Sequence, residues 1–436
     1  MVAVALVSMT RSSPAGEAGA SGTATLATPP TQVVASLAIG SNPSGPTFDS
    51  VTGEVYVPSD ISLASGDPVA VVSGATNTIV ATVLSGADAQ PVTVNTDNGE
   101  TYVANAGSDN LSVISPTSNS VVGSVPVGPA PWPPAYDPTN RDLYVPDSQS
   151  SNVTVIATES RSVLATVPVG FGPLVPVYDG VNGDIYVPTR EENVSVISGA
   201  TNRVVANVSL GAPPTEAILD AASGNVYVLL GGAQAGNLTV ISGVTNMVTA
   251  SVHLGREGSA GVYDGRANNL YVLEPAEGEV AVVSCLANLL VAQVAVGPDP
   301  ENLVFANTTG AVYVTNVGSG TVSVISDLFN SVIATVPVTG VTDPVLIGPA
   351  YDWVHNEVFV SVASSAGGNL SGVLVVVGSS PVIDWLAVEV DGIVGGLLVA
   401  VTVTVVWIAQ RRHRALSSRP PPPPANEGIP RGPDRP

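Results

Sequence analysis

Residues 313–338 read YVTNVGSGTVSVISDLFNSVIATVPV, three apolar runs separated by turn-forming residues. Within the runs valine and isoleucine alternate with serine and threonine, the pattern of strands that pack face to face. Glycine, asparagine and aspartate stand between the runs, where tight turns need them. Another apolar run precedes Tyr313, so the unit predicts a sheet of four short strands.

This unit recurs eight times between Val33 and Val377. Its marker is a Tyr-Val or Phe-Val pair, and successive pairs lie 41 to 46 residues apart. The pairs begin at Tyr56, Tyr102, Tyr144, Tyr186, Tyr227, Tyr271, Tyr313 and Phe359. A repeat of this length with four strands predicts one blade of a β-propeller, in which each sheet stacks on its neighbours.

The ends of the repeat region predict how the ring closes. Eight fourth-strand sequences occur, and the first, Val33 to Gly40, precedes any first strand. The last copy, Leu346 to Val377, has no fourth strand of its own. We therefore predict that the strand 33–40 completes the last blade, leaving no open sheet edge. Seven blades and an open β-solenoid are the alternatives.

An aspartate recurs seven residues before the pair in six copies. These residues are Asp49, Asp137, Asp179, Asp220, Asp264 and Asp352, and Asn95 and Ala306 replace them in the other two copies. An Asx side chain caps a turn through nearby backbone groups, which predicts a tight hairpin between the first and second strands. A ring of carboxylates that binds a cation is the alternative interpretation.

Composition excludes some classes of function. The net charge is −22, and all 13 basic residues are arginine. Binding to nucleic-acid phosphates needs a basic surface, so we expect no nucleic-acid partner. Cys285 is the one cysteine, which excludes a disulfide within the chain and favours a small buried side chain.

The two ends of the chain predict export and a membrane anchor. Residues 1–30 form a leader with a signal-like apolar segment, followed by the propeller at 31–378 and a spacer at 379–392. Residues 393–409, IVGGLLVAVTVTVVWIA, carry no charge and predict a transmembrane helix. Arg411, Arg412 and Arg414 then place the Pro-rich tail 410–436 in the cytoplasm and the propeller outside.

The copy Tyr313-Val314-Thr315-Asn316 and the residues after it resemble the YVTN family of β-propeller repeats. Members of that family occur in archaeal surface-layer proteins and in bacterial exported proteins. The resemblance implies an exported propeller and says little about a ligand. Pro58, Pro146 and Pro188 depart from the motif at the position of Thr315.

We find no catalytic constellation in the sequence. His253 and His355 are the only histidines before the predicted span, too few for a metal cluster or a nucleophilic triad. The sequence therefore predicts a chain that is not an enzyme, with no catalytic residue, metal or cofactor.

The loops that join fourth to first strands and second to third strands predict a ligand surface. The candidate residues for it are Trp132, Phe171, Asp88, Glu216, Glu257, Asp299, Glu301 and Asp343. Seven Asn-x-Ser/Thr sequons predict N-glycosylation at Asn110, Asn152, Asn193, Asn207, Asn237, Asn307 and Asn369. Accidental sequons, formed by a turn Asn beside a Ser/Thr-rich strand, are the alternative.

Together these features predict a cell-membrane protein with a single C-terminal span and an extracytoplasmic propeller. Its expected role is envelope structure, adhesion, or recognition of proteins or glycans, without catalysis. The alternative is an exported propeller enzyme of lactonase-like or lyase-like type, which needs converging catalytic side chains at one channel mouth.

Overall fold

A computed structural model describes residues 27–61, 66–364 and 371–379. These residues form an all-β propeller of eight four-stranded sheets, each with its strands in antiparallel order from the channel outward. The eight-bladed architecture predicted from the repeat is therefore confirmed, and the seven-bladed and solenoid alternatives are excluded.

Blades one to four follow one another along the chain. Blade one contains β2 (Thr47–Asp49), β3 (Glu54–Pro58), β4 (Pro68–Ser73) and β5 (Thr78–Leu84). Blade two contains β6 (Thr93–Val94), β7 (Thr101–Asn105), β8 (Asn110–Ser115) and β9 (Ser120–Pro126). Blade three contains β10 (Ala135–Asp137), β11 (Asp142–Asp147), β12 (Asn152–Ala157) and β13 (Ser162–Pro168). Blade four contains β14 (Val177–Asp179), β15 (Asp184–Thr189), β16 (Asn193–Ser198) and β17 (Arg203–Ser209).

Blades five to seven repeat the pattern with longer inner strands. Blade five contains β18 (Pro214–Asp220), β19 (Asn225–Leu230), β20 (Asn237–Ser242) and β21 (Met247–His253). Blade six contains β22 (Gly261–Asp264), β23 (Asn269–Glu274), β24 (Glu279–Ser284) and β25 (Leu289–Ala295). Blade seven contains β26 (Pro300–Ala306), β27 (Ala311–Asn316), β28 (Thr321–Ser326) and β29 (Ser331–Pro337). Short 3-10 turns lie at Gly232–Gln234 and Val317–Ser319.

Blade eight closes the ring with strands from both ends of the propeller. Its inner strands are β30 (Pro344–Asp352), β31 (Glu357–Ser364) and β32 (Ser371–Gly378), and its outer strand is β1 (Gln32–Gly40). β1 pairs antiparallel with β32 from Gln32 opposite Gly378 to Gly40 opposite Gly372. The predicted closure is therefore confirmed.

Every outer strand carries a β-bulge at its third residue. In β13, for example, Val163 pairs with Ile156 and Ala165 pairs with Val155, so Leu164 has no partner. Val34 is skipped in the same way in β1, which identifies that strand as the eighth outer strand. A bulge bends an edge strand and hinders pairing with another chain, so the ring avoids edge-to-edge association at its rim.

The marker tyrosines are fully buried, and four of them donate to an asparagine of the next blade. Tyr227 donates a hydrogen bond from its hydroxyl to Asn288 Oδ1 of the next blade at 2.6 Å. The same contact joins Tyr144 to Asn202, Tyr186 to Asn246, and Tyr271 to Asn330. These asparagines have positive φ in the turns between third and fourth strands, a conformation that Asn tolerates. The repeat therefore keeps one geometry of blade stacking around much of the ring.

At the seam the tyrosine contact changes its partners. Tyr313 donates to the carbonyl of Pro30 at 2.9 Å, because blade eight has no turn between its third and fourth strands. Phe359 in blade eight has no hydroxyl, and the Asn77 turn of blade one instead donates from Nδ2 to Glu357 Oε2 at 2.9 Å. The same contact forms where the marker is Tyr56, since Asn119 Nδ2 donates to Glu54 Oε1 at 3.1 Å.

The fold prediction is corrected in one part, the C-terminal transmembrane helix. Among the residues that the structure describes, no helix has the length and apolar character to cross a membrane. Residues 393–409 lie outside the described ranges. The supported fold class is therefore the eight-bladed propeller without that helix.

Candidate functional site

The two faces of the ring carry different loops. We call the face with the fourth-to-first and second-to-third connections the upper face, and the opposite one the lower face. On the upper face the two kinds of loop hydrogen-bond to each other. For example, Ala106 N donates to the Asp88 carbonyl at 2.9 Å, and Val317 N donates to the Asp299 carbonyl at 2.9 Å. The upper loops are therefore tied together in pairs within each of these blades.

Three of the predicted ligand-surface acids occupy one geometric position. Asp88, Asp299 and Asp343 have φ of 56°, 49° and 47°, and Ala130 has 50° in the corresponding loop of blade three. A left-handed conformation suits Asp and Asn, so these residues have a structural reason to be acidic. Burial, together with nearby Asp60 and Asp67, raises the pKa of the Asp88 carboxyl.

The other predicted surface residues are spread around the upper face. Phe171 is 48% exposed, whereas Trp132 is half-buried and its backbone N–H donates to the Pro146 carbonyl at 3.0 Å. Glu257 and Glu301 are exposed. Within the described ranges no hydrogen bond or ion pair joins any two of the eight candidates, and no three metal-ligating side chains cluster. The structure thus places them on one face without forming one site from them.

The sequons at the starts of third strands have a structural explanation. Asn105, the fourth residue of the motif, is buried and donates from Nδ2 to Asn110 Oδ1 at 2.6 Å and to Ser112 Oγ at 3.0 Å. Asn316 makes the same contacts to Thr321 and Ser323. An Asn followed two residues later by Ser or Thr therefore satisfies a buried polar group. Asn369 lies outside the described residues, and glycosylation stays a prediction.

The turn aspartates cap hairpins. Asp137 Oδ1 accepts from Thr139 N at 2.8 Å, and Asp179 Oδ1 accepts from Val181 N at 2.8 Å. The same bond forms at Asp49, Asn95, Asp220, Asp264 and Asp352. These are the contacts that the turn-capping interpretation requires, and the hydrogen bonds explain the position of the aspartates.

A ring of residues four positions before each turn cap lies on the innermost strands and connecting loops. We call it the channel ring. Its members are Gly45, Pro91, Pro133, Val175, Glu216, Ala260, Asn302 and Gly348. A Cβ added to Gly348 would lie 3.4 Å from Asn302 Nδ2 and 3.6 Å from Gly45 Cα, so the members of blades seven, eight and one are neighbours. Six members are small or apolar, and Glu216 is the only ionisable one.

Glu216 is held between blades five and six. Its Oε2 accepts a hydrogen bond from Gly261 N of blade six at 2.9 Å. The Glu216 side chain as a whole is half-buried. Desolvation among the surrounding protein groups raises the pKa of its carboxyl to about 7, and the Gly261 hydrogen bond opposes the rise only in part. A carboxyl that titrates near neutrality in a channel wall is suited to general acid–base chemistry.

Asn302 is the second polar member of the channel ring, and no sequence motif points to it. It follows the bulged residue Glu301 in β26, just as Glu216 follows the bulged Thr215 in β18. Blade six separates the two, with Ala260 at the ring position between them. Asn302 is exposed, and its Oδ1 accepts from Leu303 N at 2.9 Å, which leaves the amide N–H groups toward the channel ring. Glu216 and Asn302 differ from the small or apolar residues at the same position of the other six repeats, and that difference could have identified both from the sequence.

The lower channel mouth contains a separate cavity of about 440 Å³ under blades five to eight. The cavity is lined by the aromatic side chains of Tyr263, Phe305, Tyr351 and Trp353. Arg266 is a cationic residue in the lining. Arg266 Nε lies 3.3 Å from Asp327 Oδ2, so its charge is already paired. Trp353 also packs edge-on against Phe48 with ring centroids 5.0 Å apart.

Cys285, His253 and His355 do not join a site. Cys285 is 6% exposed in an apolar cluster, and burial raises the pKa of its thiol to about 12. His355 Nδ1 lies 2.7 Å from Asp352 Oδ2 in a hairpin turn, and His253 Nδ1 lies 2.9 Å from Asn237 Oδ1 at the rim. The prediction of a small buried cysteine is confirmed.

Comparison with known proteins supports the fold without identifying a family. No family model matches the chain, and no curated protein matches its sequence. The resemblance to the YVTN family and to surface-layer proteins is therefore not confirmed, whereas the eight-bladed propeller is.

Two solved structures are similar to the chain. Kuenenia stuttgartiensis hydrazine synthase matches 66% of this chain and 96% of its own, with 19% identity and a TM-score of 0.52. Dihydro-heme d1 dehydrogenase NirN, in complex with DHE, matches 79% of this chain and 78% of its own, with 13% identity and a TM-score of 0.61. At these identities the likeness is one of fold alone.

These neighbours correct the prediction that the chain is not an enzyme. Both are named as enzymes, a synthase and a dehydrogenase. A propeller of this type is thus compatible with catalysis. Histidines and metal ligands are not the only catalytic side chains, and a single carboxyl with a raised pKa leaves no motif in the sequence.

Proposed function

We propose that the chain is an enzyme that hydrolyses a neutral ester or lactone in its central channel. The observation that carries the proposal is Glu216, a carboxyl in the channel wall whose pKa is raised to about 7. The similarity to two propellers named as enzymes supports a catalytic role over simple adhesion.

The chemistry needs one base and one oxyanion donor. Glu216, when deprotonated, would remove a proton from a water molecule, and the resulting hydroxide would form a bond to the carbonyl carbon. The C–O bond to the leaving oxygen would then break, and that oxygen would take the proton from Glu216. The Asn302 amide would donate to the oxygen that becomes negative in the tetrahedral intermediate.

Charge favours a neutral substrate. The chain carries a net charge of −22, and anionic substrates would be repelled from the channel. A lactone or an ester has no charge to repel and presents a carbonyl of the required kind. Export, a membrane-proximal position and glycan or protein partners at a cell surface stay predictions from the sequence.

The test is hydrolysis of a panel of neutral lactones and esters by the full chain. The rate is measured by titrating the released acid with base at constant pH. We expect kcat/KM to rise with pH through about 7, because the base must be deprotonated. Glu216→Gln should lower kcat/KM about 100- to 10,000-fold, the usual contribution of a general base. Asn302→Ala should lower it about 100-fold.

Glu301→Gln is the matched control, since Glu301 is exposed and adjacent to Asn302 in the same strand. This variant should retain wild-type activity. Hydrolysis that is absent for the whole panel, or unchanged in Glu216→Gln, would refute the proposal.

A further inference from the structure

The turns between third and fourth strands on the lower face of blades five, six and seven have apolar tips. Val244 and Leu286 are each 86% exposed, and Leu328 and Phe329 are 75% and 65% exposed. Met247 and Leu289, at the starts of the next strands, are also exposed. We call these six residues the apolar turns.

The corresponding tips of blades one to four carry no large apolar side chain. The residues there are Ala75, Thr76, Thr117, Ser118, Glu159, Ser160, Ala200 and Thr201. Blades one to four form the same four-stranded sheets with small or polar tips, so the fold does not demand apolar ones. A contiguous sector of exposed apolar side chains marks an interaction surface.

Equivalent contacts anchor the three turns that carry these residues. Tyr186, Tyr227 and Tyr271 hold the turns of blades five, six and seven at equivalent asparagines, with hydrogen bonds of 2.6, 2.6 and 2.8 Å. Equivalent anchoring in three successive blades favours apolar tips at similar heights, which suits a flat surface better than a concave one.

The charges around the apolar turns limit which partner surfaces could bind them. Asp184 Oδ2 lies 3.5 Å from Asn246 Nδ2 in the blade-five turn, and Arg266 pairs with Asp327 at 3.3 Å. The ionisable side chains beside the apolar turns are therefore acidic on balance, which disfavours an anionic surface. The net charge of −22 opposes both an anionic bilayer and a second copy of the chain.

We propose that the apolar turns dock on the interfacial region of a neutral, zwitterionic lipid bilayer. Leu286, Leu328 and Phe329 would enter the boundary between headgroups and acyl chains, where exposed apolar area gains the most. Docking on the lower face leaves the upper channel mouth, near Glu216, open to substrate. The proposal needs no membrane-spanning segment and is independent of the proposed hydrolysis.

A position-specific fluorescence experiment tests it on the full chain. Phe329→Cys and, as the matched control, Ser118→Cys place a cysteine at the same turn position in blades seven and two. Each is labelled with a polarity-sensitive dye, and Cys285 is protected by burial. Vesicles of phosphatidylcholine are then added.

We expect the dye at 329 to brighten and shift to the blue, and the dye at 118 to remain unchanged. Adding Val244→Ser and Leu286→Ser to the 329 variant should lower the vesicle-dependent signal about tenfold, because two inserted side chains are lost. Adding Val80→Ser and Leu164→Ser, exposed apolar residues of the outer rim, should leave the signal intact.

Equal signals at 329 and 118 would overturn the proposal, because any other segment that tethered the chain would expose both turns alike. A signal at 329 that survives the Val244 and Leu286 substitutions would also overturn it. A signal that grows with protein concentration without vesicles would assign the face to a second copy and would refute the lipid surface.

Discussion

Blades one to four and blades five to eight share one core but differ along the channel. The inner strands of the first four blades are two or three residues long, whereas those of the last four are seven, four, seven and nine residues long. In the first half, pairing beyond each short strand is reduced to isolated bridges such as Pro43 to Ser59. Glu216, Asn302, the lower cavity and the apolar turns all belong to the second half.

The difference shows how a repeat can hold a site in one sector only. Three residues before the turn cap, the backbone N–H is free to face the neighbouring blade, as Gly261 does when it donates to Glu216. Proline occupies that position in blades one, three, four and eight, at Pro46, Pro134, Pro176 and Pro349, and has no N–H to donate. Blades five, six and seven have Ala217, Gly261 and Leu303 there, and Val92 stands there in blade two. Three consecutive blades with a backbone donor therefore occur on the side that holds Glu216.

The largest expected loss of stability comes from removing a marker tyrosine, and comparing this loss between the two halves tests whether they are packed alike. Tyr102→Ala in blade two and Tyr271→Ala in blade six each remove a fully buried ring. Each should lower the free energy of unfolding by about 3–5 kcal/mol, and the two values should agree closely. Chemical denaturation measures both. A much smaller loss for one of them would mean that its half is packed differently.

A smaller effect concerns a buried carboxyl of the first half. Asp147 is 1% exposed, and burial raises its pKa to about 6, above its ordinary value of 3.8. Because the pKa is raised in the folded state, protonation of this carboxyl favours folding. The resulting stabilisation is complete below about pH 4 and is lost as the pH rises through 6. Asp147→Asn should therefore stabilise the fold by about 1–3 kcal/mol above pH 6 and have little effect near pH 4.

Asparagine suits position 147 because Asn105 and Asn316 occupy it in other blades and accept the same backbone N–H, from Gly86 and Gly297. Asn105→Asp is the reverse control and should destabilise the fold above pH 6. Denaturation at pH 4 and pH 7 separates the outcomes. Equal stability of Asp147→Asn and wild type at pH 7 would contradict burial as the cause of the raised pKa.

The smallest expected loss of stability comes from removing a tyrosine hydroxyl. It compares a hydroxyl that bonds to the next blade with one that bonds within its own strand. Tyr227→Phe leaves Asn288 Oδ1 without its donor and should cost about 1 kcal/mol. Tyr102→Phe should cost less, because its hydroxyl partner Glu100 keeps the guanidinium of Arg161 at 2.5 Å. Thermal unfolding of the two variants makes the comparison. An equal loss would show that the contact between blades adds nothing to the contact within a strand.

Much of the fold can be predicted because each repeat reports it independently. The tyrosine pair, the turn Asx and the outer-strand sequence define the four strands of a blade, and the displaced strand 33–40 defines the closure. The bulges cannot be predicted, because a skipped residue such as Leu164 is an apolar residue like those beside it that do pair. The C-terminal helix rests on the hydropathy of residues 393–409 and on the arginines that follow them, and it is not supported by the described residues.

The candidate site can be predicted only in part. The sequence marks Glu216 as a surface acid because its loop connects two blades, but its burial depends on Gly261 of the next blade, which is 45 residues away. Asn302 escapes prediction because its importance comes from its ring position and not from a motif. Charge draws attention to Asp88, Asp299 and Asp343, whereas their left-handed backbone explains them.

Direct titration of the Glu216 side chain tests the central claim most simply. The full chain is labelled with ¹³C at glutamate carboxyls, and the Glu216 resonance is assigned by its loss in Glu216→Gln. We predict a midpoint at about pH 7, because the carboxyl is desolvated between blades five and six. A midpoint near the ordinary value of 4.5 would mean that water reaches the carboxylate freely, and it would contradict Glu216 as an acid–base group at neutral pH.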